Sequence, residues 1–276
     1  MSDDHVYLSL AEEHEDDTRW AYGTGFEDPL HGVDTGVPDG VDRTELAALC
    51  LALGDDALVM AQRLAEWTTR APELEEEVAL ANIGLDLLGQ ARLLYSRAGQ
   101  ADGTGRDEDA YAYFRDPDDF RNVTLVELPD TDFAFCVARL LVFASWRLAH
   151  FERLAASPDP VLAAVAAKGA KELAYHRQYA AEWVVRLGDG TEESHRRTRA
   201  ALDAVLPHLG ELAAAQDTGD DVTAVLRQVT RAAGLPLPEP VPAPAGRGRD
   251  GGHSAHLAPL LAELQGVARA HPGATW

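Results

Sequence analysis

The chain has 276 residues and a formal net charge of -22, with 46 Asp and Glu against 24 Lys and Arg. Nucleic acids and anionic membrane surfaces are bound through a basic face, so we expect neither as a partner. No apolar run of about eighteen residues is recognised and the N-terminus has no basic start or apolar core, so we expect no membrane span, no signal peptide and a cytoplasmic location. Alanine and leucine dominate the sequence, which predicts an all-α fold.

The first 42 residues are acidic, and Gly, Pro and Asp interrupt any helical pattern there. The segment nevertheless contains aromatic residues, among them Tyr7, Trp20 and Phe26, which solvated tails rarely carry. We predict an N-terminal arm that packs on its own subunit or on a partner. The alternative is a disordered leader.

The first long helix is predicted to begin at a cap provided by Asp42 or Thr44 and to run to about residue 69. Its apolar residues recur every three or four positions, as they do in the helices of a bundle. Asp56 and Arg63 lie immediately beside this apolar stripe. Both are therefore candidates for a polar site at the edge of the core.

The second helix is predicted over residues 73–98, with Gly99 as its end. The short connection makes it the antiparallel neighbour of the first helix. Asn82, Asp86 and Gln90 follow one edge of the second helix at a spacing of four. Their side chains should therefore lie in one row on its surface.

A crossover of about thirty residues (100–130) follows, with a short helix at 107–115 and an extended piece at 123–128. Two more long helices are predicted, at 131–156 and 161–187, separated by a Pro-rich break. Two long hairpins joined by one long crossover are the layout of a ferritin-like four-helix bundle, which we assign to residues 43–190.

Additional helices are predicted C-terminal to the bundle, within residues 191–235: one over 191–215, capped by Thr191, and one over 220–233. A Pro- and Gly-rich linker (236–252) comes next. Residues 253–276 should contain a last helix, capped by Ser254 and apolar on one side, that docks on another part of the protein.

The fourth long helix carries polar chemistry on the face that should be buried. Its inner stripe advances in alternating steps of four and three residues, and Glu172 and His176 both belong to it. Burial of a carboxylate or an imidazole without a partner costs several kcal/mol. A metal, an ion pair or a hydrogen-bonded neighbour must therefore satisfy both groups.

A carboxylate-bridged di-iron site in such a bundle needs a Glu from each of two helices and a Glu-x-x-His motif from each of the other two. Here Glu172 is followed three positions later by Tyr175, and Asp86 is followed by Gly89. A Glu-x-x-His motif at Glu192 lies in the first turn of a later helix, where acidic residues favour the helix dipole. The ligand set is incomplete, so we predict no metal and no catalytic residue.

We instead predict an ion-pair and hydrogen-bond cluster at the position of the missing metal site. An arginine there would itself oppose cation binding. The alternative is that these residues are separate and partly exposed on helix edges. The predicted members are Arg63, Asp86, Glu172 and His176, with Asp56, Asn82 and Gln90 as possible further members.

Several stretches resemble a known family. The segments ELAALCLALGDDALVMAQRLAEW, LANIGLDLLGQAR, FRNVTLVELP and KELAYHRQYAAEWVVRLGDGTEES, and the C-terminal HSAHLAPLLAELQGVARAHPG, are similar to the structural C subunits of ring 1,2-phenylacetyl-CoA epoxidases, the PaaC family. The resemblance covers the chain from about residue 45 to the C-terminus. The acidic arm lies outside it.

The resemblance implies a ferritin-like, non-catalytic subunit of a multicomponent monooxygenase of phenylacetate catabolism. It implies pairing with a catalytic A subunit that holds the di-iron centre, and a reductase subunit that supplies electrons through flavin, an iron-sulfur centre and NADPH. No cofactor is implied in this chain. Two alternatives stay open: a ferritin-like redox enzyme with an irregular carboxylate site, and a helical interaction module.

Overall fold

The computed structural model describes residues 30–215, 219–236 and 247–274. From residue 33 onward these belong to one compact unit. Short 3₁₀ turns occur at Pro117–Asp119, Thr124–Glu127, Leu206–His208 and Gly248–Asp250. The helices are α1 (Arg43–Ala65), α2 (Leu74–Ala101), α3 (Glu108–Tyr113), α4 (Phe133–Leu154), α5 (Pro160–Gly188), α6 (Glu192–Val205), α7 (Leu209–Ala215), α8 (Gly219–Ala232) and α9 (Leu257–Ala270).

Four long helices form the bundle. Helices α1 and α2 pack as one hairpin, α4 and α5 pack as the other, and the two hairpins meet where α2 lies against α5. Helices α6 and α8 pack on α4 and α5, outside the four-helix core. The prediction of an all-α, ferritin-like fold is confirmed.

Aspartate side chains cap α1, α4 and α5, whereas α2 begins at Glu73 without a side-chain cap. Asp42 accepts hydrogen bonds from the amides of Thr44 and Glu45, so it is Asp42 and not Thr44 that caps α1. Asp159 caps α5 and is followed by a proline in the first helical position. Each such cap satisfies amides that a helix leaves unbonded at its N-terminus.

Five predictions about the helices and their connections are wrong. Helix α1 ends at Ala65 and not near residue 69, and α9 begins after His256, so Ser254 is not its cap. Helix α2 continues through Gly99 to residue 101, because Gly99 is a packing position: a Cβ there would lie 2.1 Å from the carbonyl oxygen of Arg106. The helix predicted over 191–215 is divided into α6 and α7 by a 3₁₀ turn that contains Pro207, which cannot continue an α-helix. The extended piece predicted at 123–128 contains the 3₁₀ turn Thr124–Glu127.

Helix α4 is the innermost helix. Nearly all its residues from 133 to 151 are buried, including Cys136, which is a free thiol. Contrary to expectation, α4 is long and apolar enough to span a membrane by length and composition. However, 94% of its apolar window is buried inside the protein, as in a central core helix.

Two predicted segments fall partly outside the described residues. Of the N-terminal arm, residues 1–29 lie outside them, together with the aromatic residues on which that prediction depends. Of the predicted linker, residues 237–246 lie outside them. Residues 247–252 return to the bundle, where Gly248 is buried.

Candidate functional site

The inner stripe of α5 brings a buried imidazole against a carboxylate of α2. The side chain of His176 is fully buried, and its Nε2 lies 3.0 Å from Oδ2 of Asp86, whose side chain is 41% exposed. Nδ1 of His176 has no hydrogen-bond partner among the described residues. The pair therefore lies at the edge of the core, with the carboxylate facing solvent.

A second contact between α2 and α5 lies beside the first. Gln90 donates from Nε2 to Oε2 of Glu172 over 2.9 Å. The other carboxylate oxygen of Glu172 is paired with Lys168, one turn earlier on α5. Four of the predicted residues, Asp86, Gln90, Glu172 and His176, thus form two polar contacts along the α2–α5 seam.

The centre of the bundle is occupied by Arg147 of α4, which sequence reasoning missed. Its guanidinium is fully buried; it donates from Nε to Oε1 of Gln90 over 3.0 Å and from Nη1 to the carbonyl oxygen of Leu53 over 3.1 Å. The guanidinium also lies over the ring of Phe151, 4.3 Å from its centroid. Gln90 therefore connects the α2–α5 seam to the interior.

The charge of Arg147 is only partly compensated. Its Nη1 lies 4.0 Å from Oδ2 of Asp56, the nearest carboxylate. Burial lowers the pKa of Arg147 to about 10, and the opposing attraction of Asp56 does not restore the usual value of 12.5. Nη2 has no partner among the described residues. The guanidinium is thus positioned by hydrogen bonds and packing more than by an ion pair.

Asp56 is a fully buried carboxylate held from the opposite side. Arg249, which follows residues 237–246 in the chain, donates to both carboxylate oxygens of Asp56 over 3.1 and 2.6 Å. The amide of Val123 donates to the same carboxylate over 2.9 Å. Burial raises the pKa of Asp56, while Arg249 and then Arg147 act to lower it. A series of polar contacts therefore runs from Glu172 of α5 through Gln90, Arg147 and Asp56 to Arg249.

Two of the predicted members make their contacts elsewhere. Arg63 donates from Nε and Nη2 to the carbonyl oxygen of Glu127, over 3.2 and 2.6 Å, and pairs with Glu66. Its side chain thus fastens the crossover. Asn82 is exposed on the outer side of α2. Arg147, and not Arg63, is the arginine that contacts the α2–α5 seam, through Gln90.

The donor set does not fit a carboxylate-bridged pair of metal ions. On α4, Arg147 stands three residues before His150, where a Glu-x-x-His motif would need a carboxylate. Burial, with Arg147 as the next cause, lowers the pKa of His150 to about 3, so this imidazole is neutral. Asp56 faces two arginines and Glu172 a lysine, which leaves no free anionic cluster among these described residues.

Among the described residues, three carboxylates within metal-binding distance of one another occur at Glu73, Glu75 and Glu76. They lie at the start of α2 and face mainly outward, where acidic residues favour the helix dipole. The Glu192-x-x-His195 motif does not converge either. His195 uses its Nδ1 to contact the carbonyl oxygen of Gly188 at the end of α5.

Comparisons with known proteins agree with this fold. The phenylacetic acid catabolic protein family matches the chain over residues 34–227 and 220–276. The C subunit of the 1,2-phenylacetyl-CoA epoxidase of Escherichia coli (strain K12) is 41% identical over 247 residues, which cover 84% of this chain and 99% of that protein. The resemblance found in the sequence motifs is thereby confirmed, and the chain belongs to the phenylacetic acid catabolic protein family.

Proposed function

We propose that this chain is a non-catalytic, structural subunit of a multicomponent 1,2-phenylacetyl-CoA epoxidase. The observation that carries the proposal is the buried guanidinium of Arg147 where a di-iron centre would need a carboxylate, in a chain 41% identical to the C subunit of such an enzyme. In this role the chain pairs with a catalytic A-type subunit that holds the di-iron centre. Flavin, iron-sulfur and NADPH chemistry belong to a reductase subunit, and the complex acts in the cytoplasm.

A bracing role has a physical reason. A bundle that holds two metals in a reactive, partly open pocket cannot also be optimised for rigidity. A second bundle with a filled interior can hold the helices of the first through a large apolar interface. The polar contacts around Arg147 and the buried α4 give this chain such an interior.

The docking surface that we propose lies on the outer side of α2 and is called here the apolar face. Leu74, Val78, Leu85 and Leu88 are 68%, 51%, 63% and 37% exposed, which is unusual for so many large apolar side chains on one helix. With Ala81 they advance in steps of four and three residues. This is the spacing at which one helix packs along another.

A groove beside this stripe extends the apolar face to α1 and α9. It encloses about 310 Å³. On α2, Glu73, Glu75 and Glu77 lie next to Leu74 and Val78, at the N-terminal end of the apolar stripe. A helix of the A-type subunit with an apolar stripe and basic flanks would therefore complement it. Residues that line the groove include Leu58, Ala61, Gly84, Leu88, Tyr113 and Leu264.

Co-expression tests the proposal. The chain is produced with an A-type subunit as wild type, as Leu85→Glu in the centre of the apolar face, and as Tyr175→Glu. Tyr175 is 57% exposed on α5, outside the groove, and serves as the matched control. We expect a stable complex for wild type and control, and at least a tenfold weaker complex for Leu85→Glu, equivalent to about 1.4 kcal/mol.

Two results would contradict the proposal in different ways. Equal binding by Leu85→Glu and wild type would reject the apolar face as the docking surface. Absence of any complex with wild type would reject the pairing itself. Circular dichroism of each variant alone shows whether the substitution has altered the fold.

A further inference from the structure

The C-terminal segment, defined here as residues 247–270, is fastened to the crossover by buried polar contacts. The amide of Gly248 donates to Oε1 of Glu211 over 2.8 Å. The backbone at Gly248 lies so close to the crossover that a Cβ would be 1.8 Å from the carbonyl oxygen of Asn122. Further along, Gln265 of α9 donates to two carbonyl oxygens at the end of α3 and just beyond it. The segment therefore packs on the bundle along its whole length.

The carboxylate of Glu127 is the focus of these contacts and is fully buried. It accepts three N–H bonds: from Nδ2 of Asn122 over 2.9 Å, from Nδ1 of His253 over 2.7 Å, and from the amide of Ser254 over 2.6 Å. Two of the three come from the C-terminal segment, so Glu127 is the anchor of that segment.

The geometry at His253 favours a charged ring. Nδ1 faces the carboxylate of Glu127, and Nε2 lies 2.9 Å from the carbonyl oxygen of Phe120. Both neighbours are acceptors, and a neutral imidazole has only one N–H. The imidazolium is the form of the ring that donates to both neighbours at once.

Other ionisable groups around this contact do not replace the imidazolium. Arg121 of the crossover faces His253 and acts against its protonation. His208 also feels the charge of Glu127, but burial lowers its pKa, which keeps it neutral near pH 7. Arg63 uses its guanidinium on the backbone carbonyl of Glu127. His253 thus supplies the positive charge that the carboxylate faces.

We propose that His253 is a pH-responsive fastener: as the imidazolium it holds the C-terminal segment on the crossover, and on losing its proton it weakens the attachment of α9. The groove of the apolar face changes with it, because Leu264 of α9 forms part of the groove wall. The attachment is a property of the single chain, so its test needs no partner and does not depend on the proposed function.

The direction of the pH dependence follows from the pKa of His253. Burial acts to lower it, but the hydrogen bonds to Glu127 and Phe120 outweigh burial and raise it above 6.5. A group with a raised folded pKa contributes stability that is complete below its unfolded pKa and is lost as the pH rises through the folded pKa. The segment should therefore be held most firmly below about pH 6.5 and less firmly as the pH rises through the folded pKa of His253.

Hydrogen exchange of the full chain tests the proposal. Protection of the α9 amides (257–270) is measured at pH 6.0 and 8.5 and corrected for the intrinsic effect of pH on exchange. In wild type, the protection of these amides should be lower at pH 8.5 than at pH 6.0, by about tenfold for each unit by which the pKa of His253 exceeds 6.5. His253→Ala should have low protection at both pH values. His256→Ala, exposed on the same segment, should behave as wild type.

A second measurement does not depend on a substitution. The imidazole ¹⁵N resonances of His253 in the wild-type chain should report both ring nitrogens protonated at pH 6 and a pKa above 6.5. A neutral His253 at pH 6 would overturn the proposal. The same conclusion would follow if His253→Ala kept the pH profile of wild type.

Discussion

Replacing Arg147 by methionine should cost the bundle little, although the guanidinium lies at its centre. Methionine keeps most of the length and apolar contact of arginine. It removes the donors to Gln90 and to the carbonyl of Leu53, at about 1–3 kcal/mol for each buried acceptor left unpaired. Against this, the lowering of the Arg147 pKa from 12.5 to about 10 corresponds to roughly 3 kcal/mol disfavouring the buried charge. The net change should therefore lie between a gain of about 1 kcal/mol and a loss of about 3 kcal/mol.

Arg147→Ala is the control for volume. It removes the same charge and donors but also leaves a cavity, which should make it less stable than the methionine variant by about 2–5 kcal/mol. Urea unfolding followed by far-ultraviolet circular dichroism measures both variants, and an unchanged m-value confirms that the same structure unfolds. If methionine were as damaging as alanine, the charge of Arg147 would hold the bundle together and the reasoning would be refuted.

Three further predictions concern single positions and use the same unfolding assay or hydrogen exchange. Gly99→Ala should destabilise the protein by about 1–3 kcal/mol because the backbone of the following loop occupies the space that its Cβ would need. Gly89→Ala is the control: it has open space on the same helix and should stabilise the protein by about 0.5–1 kcal/mol. Equal effects of the two substitutions would contradict the packing role of Gly99. Gly248→Ala should lower the exchange protection of α9, and unchanged protection would show that the backbone can shift freely. Glu172→Gln should cost less than about 1 kcal/mol because its ion pair is partly exposed, so a loss above about 3 kcal/mol would contradict the placement of Glu172 at the rim.

The helices could be predicted because local signals decide where they begin. Asp42, Asp159 and Thr191 each precede a helix, and each caps it in the structure. Their ends were harder to predict, since an end depends on what packs there. Gly99 has the residue type of a terminator, yet it lies inside α2 because the following loop crosses over it.

The candidate site could be predicted only in part. The spacing of α2 and α5 identified Asp86, Gln90, Glu172 and His176, because residues on facing helix stripes meet. Arg63 was chosen for its place beside the α1 stripe, but the crossover, whose path no local pattern fixes, provides its partner.

Arg147 had a signal that went unused. It lies in a segment, FCVARLLVFASWRLAHF, that is apolar all round, and a charged residue in a fully buried helix must find partners inside. The Glu127–His253 contact had no such signal. It joins residues 126 positions apart through two loops, so it depends on the complete tertiary fold.

The iron content of the chain tests the central claim most directly. The chain is expressed alone in iron-supplemented medium and together with an A-type subunit, and metal and mass are measured for each purified species. If Arg147 and its partners fill the bundle where a di-iron centre would lie, the chain alone should hold no stoichiometric iron, and the iron of the complex should match its content of A-type subunit. Two iron ions per molecule of the chain alone would contradict the account.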